Sequence, residues 1–289
     1  MFTTAEILKK VKELEIISRK LTTHMFTGEY HSAFKGRGMS FREVREYYAG
    51  DDVRFIDWNV SARFSHPFTK VFEEERELTV MLLVDVSASA LFGTTNQRKK
   101  DLITEVGAVL TFSAINNNDK VGVIFFSDKI ELYIPPKKGK QHALYIVRQL
   151  LTSTIKRNST NISEAIKFFN KAAKQKSIAF IMSDFMDEDY SDDLRVIGNR
   201  HDVIGLKVYD KMDMQLPEIG MLQVQDLETG KSKWLDTNNA SVRYNYNQHF
   251  MDQTNYCKSI FLKAGAELLH LRTDEDYVKI LQQFFIKRK

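Results

Sequence analysis

The chain has a single cysteine, Cys257, among 289 residues. An intramolecular disulfide is thereby excluded, and so is a zinc site built on thiolates. Cys257 reads as a small apolar side chain on a helix. Long apolar runs are missing too. None approaches the ~20 residues needed to span a bilayer. The stretch from Met1 to Leu21 is amphipathic and charged, without the apolar core of a signal peptide. The expected location is the cytoplasm. The seven histidines show no metal-ligand spacing, and no G-x-S-x-G nucleophile elbow occurs. Gly230-Lys231-Ser232 lacks the earlier glycine of a phosphate-binding loop, because Gln225 stands in its place. There is no internal repeat and no low-complexity tract. What remains is 43% hydrophobic and 28% charged with a formal net charge of +4. That balance is ordinary for a globular protein and does not by itself imply nucleic acid.

The most informative stretch runs from Thr79 to Ser89. Thr79 to Val84 is aliphatic or β-branched throughout and too short for a typical helix, so it reads as a strand buried on both faces. It ends at Asp85, and hydroxyls follow at Ser87 and Ser89. An i, i+2, i+4 spacing lets all three point one way in an extended chain. One carboxylate and two hydroxyls make half of a hard-cation shell.

Upstream, a helix is expected to about Leu21 and an irregular loop over 24–40. Ser40-Phe41-Arg42-Glu43 reads as a capping box opening a helical turn, and 66–78 as extended. From residue 79 strands and helices alternate, the pattern of an α/β fold with a doubly wound, mostly parallel sheet. Strands are expected at 79–84, 120–126, 129–134, 177–182, 202–209 and 266–271. Helices are expected at about 98–117, 140–152, 162–174, 190–199, 241–264 and 274–286. A β-hairpin insert around Glu228-Thr229-Gly230-Lys231 interrupts the order at about 211–235. The domain reading is an N-terminal annex, 1–78, and a main domain, 79–289.

Loops leaving the carboxyl ends of neighbouring parallel strands converge. Thr160 stands just before a helix start, where it reads as a cap or a metal ligand. Phe180 to Met182 is a second apolar run leading to an aspartate, Asp184. Taken singly, Ser87, Ser89 and Thr160 read as helix caps and Asp184 as a turn residue. Taken together, Asp85, Ser87, Ser89, Thr160 and Asp184 resemble the metal-ion-dependent adhesion site of von Willebrand factor type A domains, in family order. The resemblance implies Mg²⁺, with Mn²⁺ or Ca²⁺ as alternatives. Ser87, Ser89 and Thr160 would be in or near direct contact, and Asp85 and Asp184 would act partly through water. An open position would take a partner's acidic side chain, which is binding rather than catalysis.

Gly50-Asp51-Asp52-Val53-Arg54-Phe55-Ile56-Asp57-Trp58-Asn59-Val60-Ser61-Ala62-Arg63 resembles the G-D-x-x-R-x-I-D-W-x-x-S-A-R signature of the DUF58 family, which precedes a von Willebrand type A-like domain. The likeness extends over roughly residues 30–210. It implies a bacterial adaptor for a MoxR-type AAA+ ATPase, sometimes with other von Willebrand type A proteins. From the residues alone, Arg54, Asp57 and Arg63 read as buried ion pairs with Trp58 as an apolar anchor, with a partner-binding surface as the alternative.

A basic run (Lys137, Lys138, Lys140, Arg148, Lys156 and Arg157) brackets the Thr160 loop. Lys137, Lys138, Lys140 and Arg157 read as a rim for an acidic partner, or as the solvated face of two helices. Nucleic-acid binding is disfavoured, since the run has no interleaved aromatics. The enzymatic alternative is a metal-dependent hydrolase using Asp85 and Asp184, for which no general base is evident.

Overall fold

The computed structural model describes residues 11–18, 38–75, 77–94, 97–153, 159–187, 189–225 and 230–288. The chain divides into two compact units, Gly28–Leu78 and Thr79–Lys289, the second including the N-terminal residues to Thr27.

The smaller unit is an antiparallel pair, β1 (Gly38–Glu46) and β2 (Phe68–Glu75), with a bulge between Phe41 and Glu43. Between them lie a 3₁₀ turn, Val53–Phe55, and the short helix α1 (Trp58–Phe64). The expected helical turn at Ser40–Glu43 is instead β1. The local capping pattern yields there to pairing with β2, whose β-branched and aromatic residues favour a ladder.

The signature residues act locally. The Asp51 carboxylate accepts two hydrogen bonds from the Arg45 guanidinium, at 2.7 and 2.8 Å, and a third from the Tyr48 amide. Gly50, at φ +112°, supplies the turn. Asp52 caps the 3₁₀ turn and pairs with Arg54, while Asp57 caps α1 and pairs with Lys70 at 3.4 Å. Ser61 donates to Asp57 O and accepts from Phe68 N, tying α1 to β2. Among the described residues Arg54, Asp57 and Arg63 form no buried ion pair: Arg54 and Arg63 are exposed, and Trp58, at 71% exposure, anchors nothing within this unit.

The larger unit is built on a six-stranded sheet in the order β10-β7-β6-β3-β4-β5. The strands are β3 (Thr79–Asp85), β4 (Lys120–Phe126), β5 (Ile130–Lys137), β6 (Ile178–Ser183), β7 (Asp202–Tyr209) and β10 (Glu267–Arg272). All pairings are parallel except that of β4 with the edge strand β5. The crossing helices are α2 (Lys99–Asn116), α3 (Lys140–Thr152), α4 (Ile162–Ala172), α5 (Ser191–Gly198), α7 (Ala240–Lys263) and α8 (Tyr277–Lys287). A short α6 (Lys211–Met214) follows β7, and β8 (Met221–Gln225) pairs antiparallel with β9 (Ser232–Asp236) as the expected hairpin. This is the doubly wound α/β architecture that the von Willebrand factor A resemblance implies.

Both faces of the central strands are covered, which is why β3 and β6 are apolar without alternation. Met81 and Leu83 of β3 join Ile166 and Phe169 of α4, Ile197 of α5 and Phe261 of α7 in one core. Val80, Leu82 and Val84 point the other way and are equally buried. Full burial of such side chains contributes roughly 1.5–3 kcal/mol each before entropy is counted. The consequence for function is positional: β3 and β6 are neighbours, in register from Val80↔Ile178 to Val84↔Met182. Asp85 and Asp184 therefore emerge side by side. The helical residues 11–18 belong to this unit, with Val11 and Leu14 buried and Glu15 paired with Lys140 at 2.9 Å.

Candidate functional site

At the carboxyl end of β3 the chain turns sharply, and Asp85 holds that turn. Its Oδ1 accepts from the Ser87 amide at 2.9 Å, and its Oδ2 accepts from the Ser183 hydroxyl at 2.6 Å. Ser87 precedes the 3₁₀ turn Ala88–Leu91, yet its side chain makes no capping bond. The Ser87 and Ser89 hydroxyls face each other at 3.1 Å. Capping therefore does not explain Ser87.

Thr160 gives the same result more sharply. The cap of α4 is Asn161, whose side chain accepts from Glu164 N at 2.8 Å. The Asn161 amide bonds to Ser127 O beyond β4, and Ile162 N to Asp187 Oδ2 in the loop after β6. Those bonds hold the Thr160 loop against the mouths of two strands. The Thr160 Oγ1 is buried and has no hydrogen-bond partner. Leaving a buried hydroxyl unsatisfied costs about 1–3 kcal/mol, so such an atom calls for a ligand.

Asp184 has a feature the sequence did not suggest. Its Oδ2 accepts from Lys99 Nζ at 3.0 Å, and Lys99 also meets Asp213 at 3.4 Å. Both members of the Lys99–Asp184 pair are buried. Lys207 Nζ, from the middle of β7, donates to the Asp184 carbonyl oxygen. In sequence Lys99 looks like one of a solvated Arg98-Lys99-Lys100 cluster. For Lys207 a signal existed: it is a lone charge inside the buried run Val203–Val208.

The two carboxylates are driven apart electrostatically. Burial raises the Asp85 carboxyl above the usual aspartate range and the Asp184 charge adds to this, against hydrogen bonds from Ser183 and Ser87. Burial also works to raise Asp184, but the Lys99 ammonium and its hydrogen bond, Ser89 and Lys207 hold it below its usual value. Lys99 is the mirror case: burial works to lower it, and Asp184 and Asp213 hold it well above the ordinary lysine value.

The fit to a hard cation rests on donor chemistry. Neutral hydroxyls at Ser87, Ser89 and Thr160, one of them orphaned, together with one or two carboxylates are oxygen ligands of the type Mg²⁺ prefers. Among the described residues no group of three or more His, Cys, Asp or Glu is placed to hold a metal, so hydroxyls would have to supply much of the shell. Lys99 already occupies one Asp184 oxygen, which suits an indirect role for that carboxylate.

Lys137, Lys138 and Lys140, the described members of the basic rim, are not at this site. Lys137 pairs with Val121 at the start of β4, whereas Asp85 is level with Phe126 at its end. Five residues of strand, about 16 Å, separate the two levels. Lys138 and Lys140 follow Lys137, and Lys140 is paired with Glu15. Proximity in sequence to Thr160 misled here because α3 runs the height of the sheet between them. Arg157 lies outside the described residues.

Among the described residues no helix is long and apolar enough to cross a membrane. Over 282 residues the chain is 29% identical to an uncharacterized protein of Mycobacterium tuberculosis and to its Mycobacterium bovis counterpart, covering 96% of this chain and 89% of theirs. Among solved structures it is similar to the conserved hypothetical protein BatB of Bacteroides thetaiotaomicron. That similarity has a TM-score of 0.52 at 16% identity, over 73% of this chain and 98% of that one. An aerotolerance-related membrane protein from Bacteroides fragilis matches with the same TM-score at 15% identity, over 73% and 99%. At such identities the likeness concerns the fold alone. The family model described as "Protein of unknown function DUF58" matches residues 43–256. With well over half of its length so matched, this chain belongs to the DUF58 family.

Proposed function

We propose that the mouth of β3 and β6 is a metal-dependent docking site for an acidic side chain of a partner protein, and that the chain binds rather than catalyses. Asp85, Ser87, Ser89, Thr160 and Asp184 would hold Mg²⁺, or Mn²⁺ or Ca²⁺ in its place. The bound ion would supply Lewis acidity and an open position for a carboxylate. The observation that carries this reading is the buried Thr160 hydroxyl without a partner, beside a helix whose cap is already provided by Asn161. Adaptor work in the cytoplasm for a MoxR-type AAA+ ATPase is the role that the resemblance of the Gly50 to Arg63 signature implies. Other von Willebrand factor A proteins are a further partner class.

The Lys99 pair favours docking over hydrolysis. It fixes Asp184 as an anion already engaged by an ammonium, a poor nucleophile and a poor base.

Thr160→Val is the incisive variant. The lost hydroxyl makes no internal hydrogen bond, so folding stability should be unchanged or slightly higher. Calorimetric titration of the intact chain with Mn²⁺ should show one saturable site. Affinity should drop at least about tenfold in Thr160→Val, equivalent to ~1.4 kcal/mol, and vanish in Asp85→Ala. Co-precipitation of the AAA+ ATPase should then fail in EDTA and in Asp85→Ala. Equal metal binding by all three proteins would refute the site, and EDTA-insensitive co-precipitation would refute the metal bridge.

A further inference from the structure

A cavity of about 500 Å³ opens beside the docking site and shares two residues with it, Ser89 and Asp184. That volume is in the range of ligand-binding clefts. Its other walls come from the loop before α2, from α6, from the β8–β9 hairpin and from α7. Every charge on its surface that adjoins the site is answered from within. Lys99 lies between Asp184 and Asp213. Lys207 donates to Asp184 O and lies over the Phe250 ring, 5.7 Å from its centroid. The Tyr246 hydroxyl donates to Met212 O at 2.9 Å. The remaining wall is largely apolar, with Phe92, Met186, Leu222, Val224 and the buried Phe250, and it carries the exposed polar side chains Gln223, Gln225 and His249 beside them. Methionine and aliphatic walls adapt to side chains of more than one shape.

We propose that this cavity is the specificity pocket of the docking site and takes a bulky apolar side chain, aromatic or long aliphatic, from the same partner segment whose carboxylate completes the metal shell. The inference rests on the docking reading above. Two observations select this occupant over a second acidic group or a free polar molecule. Lys99 is ion-paired with Asp184 and Asp213, and the buried Lys207 is engaged by Asp184 O and the Phe250 ring, so neither ammonium is presented to a second acidic group. The shared wall places the apolar space directly next to the point where the partner's carboxylate would arrive. An extended chain advances about 3.3 Å per residue, so the acid and the apolar residue belong within about three positions of each other. The sequence could not show this, because the walls come from five separate segments between Ser89 and Phe250.

A displayed library of random peptides, panned on the intact chain in Mg²⁺ and eluted with EDTA, tests it. The expected enrichment is Asp or Glu with Phe, Trp, Leu or Met within three positions. Leu222→Trp and Val224→Trp fill the cavity from the hairpin wall, away from the central sheet. They should erase the apolar preference, keep the acidic one, and weaken an enriched peptide at least tenfold. Enrichment for acid alone would overturn the pocket and leave the docking reading standing. Loss of any Mg²⁺-dependent acidic enrichment would overturn both. Retention of the apolar preference in both tryptophan variants would show that the apolar side chain binds elsewhere, and would equally overturn the pocket. Should either variant fail to fold, the wild-type enrichment pattern decides by itself.

Discussion

Lys99 changes how the two aspartates at the site are understood. A buried carboxylate is costly unless it is paired. Asp184 is paired with Lys99, whereas Asp85 relies on hydrogen bonds from Ser87 and Ser183. Lys99→Met removes the cation and leaves two acids, Asp184 and Asp213, facing an apolar side chain. Loss of one partner of a buried pair costs about 3–5 kcal/mol, so urea unfolding of this variant should show a drop of that order. Lys99→Met combined with Asp184→Asn should recover a substantial part of it. A stability loss below about 1 kcal/mol in the single variant would mean that the pair is open to solvent. At this scale the candidate ligands could be named from the sequence, because hydroxyl and carboxylate spacing after a buried strand is a sequence pattern. Of the residues that complete their surroundings, Ser183 adjoins Asp184 and Lys207 stands out as a lone charge in a buried run, whereas Lys99 and Asp213 were not legible. They come from two other segments, and nothing local to Lys99 separates a buried ammonium from a solvated one.

The elements were largely readable, because covered strands leave unbroken apolar runs and the intervening helices carry their own periodicity. β4, β7 and α3 begin and end where the pattern places them. β1 was misread because a capping box is a local signal, while strand pairing with a segment nearly thirty residues away is not. Trp58 was misread because a tryptophan suits a core and a surface alike. Close packing between elements also escapes sequence reading, and Gly205 is the instance with a measurable consequence. A Cβ added there would stand 2.5 Å from the Phe261 ring of α7 and 2.8 Å from Leu268 Cδ1 of β10. Glycine is what lets α7 lie flat on β7. Gly205→Ala should therefore destabilise by about 1–3 kcal/mol through overpacking, read as a fall in the urea midpoint. Phe261→Leu should be partly compensatory in that background, although it is destabilising in the wild type. Additive losses in the double variant would place the strain elsewhere.

For the larger unit as a whole, acid is the condition that sets several of these features against one another. His201 and His270 are both held neutral, each with its pKa pushed down to about 4 from 6.5, first by burial and then by neighbouring cations. Those cations are Arg200 and Lys176 for His201, and Lys258 and Lys207 for His270. His201 Nδ1 accepts the Ser177 amide at 3.2 Å, its ring packs on Phe169, and its Nε2 has no partner. Because the folded pKa lies below the unfolded one, the unfolded chain takes up protons first. The stability these histidines provide is complete above pH 6.5 and is lost as pH falls from there to 4, by at most about 3 kcal/mol for His201. Asp85 works in the opposite direction: its raised carboxyl binds a proton more readily in the fold, so protonation there favours the folded state over part of the same window. Asp184, held low, gives up its contribution only below the ordinary aspartate range. Two histidines against one aspartate leave a net decline between pH 6.5 and 4. Urea midpoints across this range should therefore fall in the wild type, fall less in His201→Gln combined with His270→Gln, and fall more steeply in Asp85→Asn. A flat wild-type profile would mean that the histidines are solvated. A steep profile unchanged by their replacement would shift the acid sensitivity to carboxylate pairs such as Lys99–Asp184. Excess Mg²⁺ adds a further discriminator: an ion held by Asp85 competes with its proton, so metal should stabilise the chain more at pH 7 than at pH 5.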